Sequence, residues 1–201
     1  MIRVMLAEDQ GMVRGALASL LGLEPDIEVV GEAATGVEAV EVAARERPDI
    51  ALLDIEMPGL DGIEAGARIG REVAGCRVMI LTTFGRPGYL RRAMEAGAVA
   101  FLVKDSPARE LAAAIRRVHG GERVIDPTLA AAALSAGPNP LSVRERDVLA
   151  ASADGSTIVD IALHLHLSEG TVRNYLSSAI QKTHARNRIE AVQRAQTQGW
   201  L

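Results

Sequence analysis

Short apolar runs alternate along the first 120 residues with segments whose apolar positions recur at helical spacing. Such runs are typical of buried strands, and recurrence every three or four residues is typical of amphipathic helices. The five predicted strands cover residues 2–7, 27–33, 50–53, 78–82 and 100–103. Because helical segments separate them, the strands should run parallel and be joined by right-handed crossovers. The pattern predicts an α/β fold, a doubly wound five-stranded parallel sheet with helices on both faces.

Residues that begin and end helices agree with this division. Thr35 and Glu38 are spaced as a capping box. Gly97 is expected to stop a helix, and Ser106 followed by Pro107 is expected to start one, with the proline at the first helical position.

After residue 139 only helical periodicity remains. Ser142 and Glu145 form a second predicted capping box, which starts a helix that ends before Gly155. The tight break at Leu167 and Ser168 separates two helical segments, as in a helix-turn-helix. The other predicted helices cover residues 157–165, 169–182 and 188–198. The second part of the chain is therefore predicted to be an all-α, four-helix helix-turn-helix domain.

These patterns divide the chain into a first domain over residues 1–120, a linker over 121–139 and a second domain over 140–201. Glycines and prolines at both ends of the middle segment mark it as a linker. Its alanine-rich patch fits either a short helix packed on one domain or a semi-flexible tether.

Composition and charge set limits on function. The 201 residues are 48% hydrophobic, which is ample for buried cores, and the single cysteine excludes a disulfide framework or a multi-thiolate zinc site. No long apolar span or secretory signal is present, so we expect a cytoplasmic protein. Residues 1–120 hold 14 Lys and Arg against 18 Asp and Glu, whereas residues 138–201 hold 7 against 6. Charge alone is a weak sign of nucleic-acid binding, so any such assignment depends on motifs.

Acidic residues follow the first and third predicted strands. Glu8 and Asp9 come directly after residues 2–7, and Asp54 directly after residues 50–53. If the strand order is 2-1-3-4-5, these strands are neighbours, and sites form at such strand ends where the order reverses. Alone, Asp54 could simply cap loop amides. Three crowded carboxylates, however, repel one another unless a cation is present, and Mg²⁺ is the natural partner.

Thr82 and Lys104 close the fourth and fifth predicted strands and are expected at the same edge. The threonine hydroxyl can donate to a phosphoryl oxygen, and the lysine brings a mobile positive charge. Each alone could be an ordinary β-branched or solvated residue. Their combination with three acids indicates a phosphate site.

At these positions, residues 1 to about 120 resemble the receiver domain of bacterial two-component response regulators, whose fold is CheY- or flavodoxin-like. The positions that carry the resemblance are Glu8, Asp9, Asp54, Thr82, Phe101 and Lys104.

The resemblance implies that Asp54 accepts a phosphoryl group from a sensor histidine kinase. It also implies Mg²⁺ bound directly by Asp9 and Asp54, by Glu8 through water and by the main-chain carbonyl of Glu56. Thr82, Phe101 and Lys104 would be the switch residues that respond to the phosphoryl group. We further expect Glu56 and Phe84, which flank the site, to tune the lifetime of that group.

The third helix of the second domain has an apolar side and a polar side. Val172, Leu176 and Ile180 recur at four-residue steps and should face the core. The residues left on the outer side are Arg173, Asn174, Ser177 and Gln181. This set suits base edges and phosphates, although a polar solvent-facing side would look the same.

Several segments of the second domain resemble the LuxR-type DNA-binding domain. They are residues 140–142, 144–149, 155–156, 160–162, 167–168, 171–174, 182 and 188–192. By that pattern the third helix enters the major groove of double-stranded DNA. The residues implied to contact DNA are Thr171, Arg173, Asn174, Ser177 and Lys182.

The two resemblances together identify the chain as a member of the NarL/FixJ group of response regulators. Residues 81–89, 104–107 and 172–175 are most similar to a branch whose partner kinases lie in the membrane. We therefore expect a transcription regulator that works beside the membrane without binding it.

Phosphorylation is expected to favour a homodimer that places two DNA-binding domains on an inverted repeat. The predicted dimer face is apolar and lies on the first and fifth helices. It consists of Leu17, Leu20, Leu21, Leu111, Ile115 and Val118, whose alternative role is plain core.

The sequence is also compatible with two other functions. One is a Mg²⁺-dependent phosphohydrolase with Asp54 as nucleophile and Glu56 as general acid, although the last 62 residues would then be unexplained. The other is a DNA-binding protein whose first domain is an unmodified dimer module. The presence of all three acids together with Thr82 and Lys104 argues against an unmodified dimer module.

Overall fold

The computed structural model describes residues 1–83, 87–104, 107–135 and 139–201, apart from the side chains of residues 87, 108 and 132–135. The chain divides into two compact units. The first holds residues 1–85 and 90–130, and the second is built mainly from residues 131–201.

The first unit alternates strands and helices. In chain order its elements are β1 (Ile2–Ala7), α1 (Gly11–Gly22), β2 (Ile27–Ala33), α2 (Gly36–Glu46), β3 (Ile50–Leu53), α3 (Gly62–Glu72), β4 (Arg77–Thr82), α4 (Pro87–Glu95), β5 (Ala100–Val103), α5 (Ala108–His119) and β6 (Val124–Ile125). The described residues form one sheet in the order β2-β1-β3-β4-β5-β6, and all neighbouring strands run parallel. The predicted doubly wound fold and the order 2-1-3-4-5 are confirmed, and a sixth strand is added.

The sixth strand lies in the segment that was predicted to be linker. Val124 pairs with Ala100 and Ile125 with Phe101, so the sheet continues past α5. A helix, α6 (Pro127–Ser135), follows directly. The prediction of a linker from residue 121 onward is thus wrong for its first part, because a two-residue strand is too short to show any periodicity. Residues 136–138 of the predicted linker lie outside the described part of the chain.

Four apolar residues of helices α1 and α5 belong to the core of the first unit. Leu21, Leu111, Ile115 and Val118 are at most 6% exposed and pack in one cluster with the strands. The prediction that these four residues form a dimer face is therefore wrong, since their helical spacing turns them toward the sheet. Of the predicted face, Leu17 is partly buried against the core, and Leu20 is 42% exposed.

The predicted caps of the first unit are largely present. The hydroxyl of Thr35 accepts from the backbone N–H of Glu38, although the Glu38 carboxylate accepts from Ala34 rather than from Thr35. Gly97 follows α4 with a positive φ of 92°. Helix α5 begins at Ala108, so Pro107 is its N-cap and not its first residue, while Ser106 lies outside the described residues.

Gly62 allows α3 to begin directly against the end of β3. A Cβ at this position would lie 1.7 Å from the carbonyl oxygen of Asp54 and 3.3 Å from Cα of Ile55. The backbone N–H of Gly62 donates to the carbonyl of Ile55 at 3.0 Å. This close approach fixes the backbone next to Asp54.

We expect Gly62→Ala to lower the free energy of unfolding by about 1–3 kcal/mol, because the added methyl group must displace backbone atoms. Gly70 in the same helix is the matched control, since its Cβ would meet no atom within 4 Å. Gly70→Ala should be neutral or stabilise by up to about 1 kcal/mol. Urea unfolding followed by circular dichroism compares the two variants, and equal effects would contradict the role assigned to Gly62.

The second unit contains the four predicted helices, α7 (Val143–Ala150), α8 (Ile158–Leu165), α9 (Glu169–Lys182) and α10 (Arg188–Gln198). The Ser142–Glu145 capping box is confirmed, and Thr157 with Asp160 forms another. Between α8 and α9, His166 adopts a left-handed conformation with a φ of 54°. This turn produces the helix-turn-helix.

Apolar residues from all four helices form the core of the second unit. Its fully buried members are Val148, Leu149, Val172, Ala179, Ala191 and Ala195. Trp200 packs against this cluster. Within the described part of the chain, no helix combines the length and apolar character needed to cross a bilayer.

Candidate acidic site and nucleic-acid interface

The acidic residues meet because β1 and β3 are adjacent. Ala7 pairs with Leu53 at the ends of these strands, and the backbone N–H of Asp54 donates to the carbonyl of Ala7 at 2.9 Å. Glu8 and Asp54 are 1% and 5% exposed, whereas Asp9 is exposed. The predicted cluster of acids is therefore present at the carboxyl edge of the sheet.

These three acids form a candidate metal site. One carboxylate oxygen from each of Glu8, Asp9 and Asp54 lies within 4.8 Å of the others. Several oxygen ligands of this kind fit the preference of Mg²⁺ for hard donors. The side chain of Glu56 is exposed and its carboxylate is not part of this group. The predicted contribution of Glu56 to Mg²⁺ binding depends on its main-chain carbonyl and not on its side chain.

Lys104 joins two of these acids. Its Nζ lies 2.5 Å from Oε2 of Glu8 and 3.0 Å from Oδ1 of Asp54, and its side chain is 11% exposed. Its backbone N–H donates to the carbonyl of Thr82 at 2.8 Å. The lysine thus lies where the sequence placed it, at the edge shared with Asp54.

The electrostatics of this group follow from burial and pairing. Burial raises the pKa of Glu8, an effect that the hydrogen bond from Lys104 only partly offsets and that the nearby Asp54 charge reinforces. Burial alone would lower the pKa of Lys104, but its hydrogen bonds to Glu8 and Asp54 outweigh burial and raise it. The ammonium therefore stays charged, and additional positive charge would stabilise ionised Glu8.

The two other predicted switch residues lie on β4 and β5. Thr82 ends β4 and is 2% exposed. Phe101 is fully buried and pairs with Ile80 on one side and Ile125 on the other. Because Leu53 pairs with Ile80, the ends of β3 and β4 place Asp54 and Thr82 at the same edge of the sheet. Phe84, Asp105 and Ser106 lie outside the residues that the structure describes.

In the second unit, α9 presents the polar side that was predicted. Arg173, Asn174, Ser177 and Gln181 are exposed. Val172 and Leu176 are buried as predicted, but Ile180 is only half-buried and Ala179 is fully buried instead. The helical period of 3.6 residues explains this shift, since repeated steps of four drift around the helix.

Two residues of the predicted DNA-contact set already have partners within α9 or its cap. A guanidinium N–H of Arg173 donates to Oε2 of Glu169 at 2.7 Å. The hydroxyl of Thr171 lies 2.8 Å from that of Ser168, and the Thr171 backbone N–H donates to the same Ser168 oxygen. Thr171 therefore contributes to the N-terminal cap of α9.

Lys182, at the end of α9, belongs to a network around a buried carboxylate. Glu145 is 4% exposed. Its Oε2 accepts hydrogen bonds from Nζ of Lys182 at 2.8 Å and from the backbone N–H of Ser142 at 2.6 Å. Its Oε1 accepts a hydrogen bond from the Ser178 hydroxyl at 2.6 Å. Burial opposes ionisation, but the hydrogen bonds from Lys182, Ser178 and Ser142 prevail and lower the pKa of Glu145 to about 2. The sequence indicated only the cap, because nothing in it shows that Lys182 and Ser178 approach Glu145.

Comparison with known families agrees with both units. Residues 4–116 match the response regulator receiver domain, and residues 139–195 match the bacterial regulatory proteins of the luxR family.

Several known proteins align with this chain along nearly its whole length. The transcriptional regulatory protein DesR of Bacillus subtilis (strain 168) is 48% identical over 201 residues, which cover 100% of both chains. The response regulator RamR of Streptomyces coelicolor is 39% identical over 100% of this chain and 98% of that protein. The crystal structure of the response regulator ChrA, from a heme-sensing two-component system, is 33% identical with a TM-score of 0.59, covering 100% of this chain and 98% of that one.

Proposed function

Since the chain belongs to the response regulators that join a receiver domain to a LuxR-type DNA-binding domain, we propose that phosphorylation of Asp54 controls its binding to DNA. The phosphoryl group comes from a sensor histidine kinase. One observation supports this most strongly, the placement of Lys104 within 3.0 Å of Asp54 and 2.5 Å of Glu8. A buried carboxylate nucleophile beside a fixed ammonium suits transfer of a phosphoryl anion.

In the proposed reaction, a carboxylate oxygen of Asp54 attacks phosphorus. A new O–P bond forms, and the bond from phosphorus to the donor breaks, with its electron pair going to the donor. When bound, Mg²⁺ would supply positive charge that offsets the negative charge of the transferred group. Glu8, Asp9, Asp54 and the main-chain carbonyl of Glu56 are the residues that would hold the ion.

The product carries about two negative charges where one carboxylate stood. Lys104 can pair with a phosphoryl oxygen with little movement, and the hydroxyl of Thr82 can donate to another. The arrangement that makes both bonds becomes more populated, and Phe101, packed behind this edge, shifts with it. Phosphorylation is thus converted into a change of conformation.

Mg²⁺ dependence tests the proposed metal site. Acetyl phosphate with Mg²⁺ should add one phosphoryl group, and Asp9→Asn should raise the Mg²⁺ concentration required by about tenfold or more, because a carboxylate ligand is lost. Glu41→Gln removes an equal charge from the exposed side of α2 and should have no effect. Intact-mass spectrometry over a Mg²⁺ titration measures the modified fraction. Modification that persists in a chelator would contradict the metal site.

The second unit would bind double-stranded DNA through the polar side of α9. Arg173, Asn174 and Ser177 would approach base edges or phosphates, and Thr171 and Lys182 the backbone. With 7 basic against 6 acidic residues in residues 138–201, one copy offers little attraction to phosphate. A phosphorylation-promoted homodimer on an inverted repeat doubles these contacts. Of the predicted dimer face, Leu17 and Leu20 keep some exposed surface.

The relatives of this chain include transcriptional regulatory proteins, and we propose that it turns over no substrate. We place it in the cytoplasm, beside a membrane kinase and without membrane contact of its own. A phosphohydrolase would use Glu56 as general acid, so hydrolysis of a small phosphate ester that Glu56→Gln abolished would favour that alternative.

A further inference from the structure

An exposed ion pair lies on the same side of α9 as the predicted DNA contacts. Arg173 donates to Glu169 at 2.7 Å, and the two side chains are 57% and 48% exposed. Residues 169, 173 and 177 follow at four-residue steps, so Glu169 shares a stripe of the helix with Arg173 and Ser177. Glu169 was not among the residues that the sequence indicated for DNA contact.

A carboxylate on this side of α9 is unfavourable for simple attraction to DNA. It accepts hydrogen bonds but donates none, and it repels phosphates. A lone arginine, by contrast, has a long flexible side chain that can pair with any phosphate within reach. Such a contact adds affinity but carries no sequence information.

Pairing with Glu169 changes what Arg173 can recognise. The guanidinium has five N–H donors in a fixed fork, and the structure shows one of its nitrogens bound to Glu169. The donors that remain suit the O6 and N7 acceptors of guanine, which lie in the major groove away from the phosphates. The nearby carboxylate also makes a phosphate a poorer competitor for the same guanidinium.

We propose that Glu169 is a positioning residue that sets sequence specificity by directing Arg173 to a guanine base and away from the phosphate backbone. This inference rests on the proposed entry of α9 into the major groove. An ordinary ion pair four residues apart would only stabilise the helix. That role would change the unfolding temperature slightly and leave base preference intact.

Selection of DNA duplexes from a random-sequence pool tests the inference with the full chain, phosphorylated by acetyl phosphate. Wild type, Glu169→Gln and Arg173→Ala are compared with Glu122→Gln. The control removes an equal charge from a similarly exposed pair in the first unit, where Arg117 lies 2.9 Å from Glu122. Affinities for the selected duplex and for random duplex are then measured over a range of salt concentrations.

Arg173→Ala should lose the preference for one G·C base pair in each half-site, because alanine has no donor for the O6 and N7 atoms of guanine. Glu169→Gln should weaken the preference at that same base pair by about tenfold. It should also bind random duplex more tightly and with a steeper salt dependence. Glu122→Gln should select the wild-type motif.

The inference would be overturned if Glu169→Gln selected the wild-type motif. It would also be overturned if this variant lost base preference evenly over the whole site, or only at a different base pair. A wild-type chain that selects no motif would overturn the proposed function together with it.

Discussion

Asp54→Asn is expected to leave the chain unmodified by acetyl phosphate and Mg²⁺ and to abolish the effect of the phosphoryl donor on DNA binding. The side-chain amide has nearly the shape of the carboxylate but is a poor nucleophile, so no O–P bond forms. Glu8 still pairs with Lys104, which should keep the first unit folded. For wild type we expect modification to tighten DNA binding by about tenfold, within the usual range of coupling between two sites.

Three measurements test the modification of Asp54 and its effect on DNA binding. Intact mass reports the modification, light scattering reports dimerisation, and fluorescence anisotropy with a selected duplex reports affinity. Glu41→Gln is the matched control, because its exposed carboxylate lies on α2 and outside the acidic cluster. Phosphorylation of the asparagine variant, or wild-type modification without any change in affinity, would refute the proposed switch.

Glu145→Ala is expected to lower the free energy of unfolding of the second unit by about 2–4 kcal/mol. The substitution removes a buried acceptor from Lys182, Ser178 and Ser142 and breaks the capping box of α7. Trp200, the single tryptophan of the chain, packs against the core of this unit, so its fluorescence reports the unfolding of this unit. Asp147→Ala, which removes an exposed partner of Arg144, should cost at most about 1 kcal/mol.

The same carboxylate makes the second unit sensitive to acid. The pKa of Glu145 is about 2 in the folded chain against 4.5 for an ordinary glutamate, so folding favours the ionised form. Its contribution, roughly 3 kcal/mol, is complete above about pH 4.5 and is lost as the pH falls toward 2. Glu145→Gln should therefore flatten the pH dependence of the tryptophan-detected unfolding over this interval. A variant with the wild-type pH profile would show that other groups cause the acid sensitivity.

Much of the fold and the acidic site could be predicted because both depend on local patterns. Apolar runs separated by helical segments require parallel strands, and that topology brings Glu8 and Asp54 to adjacent strand ends. In the second unit, the capping residues Ser142, Thr157 and Ser168 mark where helices begin. The positions of residues at strand ends and at helix caps can thus be predicted from the sequence.

Features that depend on packing at long range were not predictable in the same way. The helical spacing of Leu21, Ile115 and Val118 shows that they share a side of a helix but not whether that side meets the sheet or a second chain. The ion pair of Glu145 with Lys182 joins residues 37 positions apart. Such distances are set by how helices and strands pack, which periodicity does not report.

The two edges of the sheet have consequences for the solution behaviour of the first unit. An open edge offers unpaired backbone groups that can recruit a strand from another molecule. One edge is β2, which carries the exposed charges of Glu28 and Glu32, and the other is β6, which has two residues. A fragment that ends before Val124 would instead expose β5, four apolar residues with no charged side chain among them. Cutting the chain there removes the protection against self-association that β6 provides.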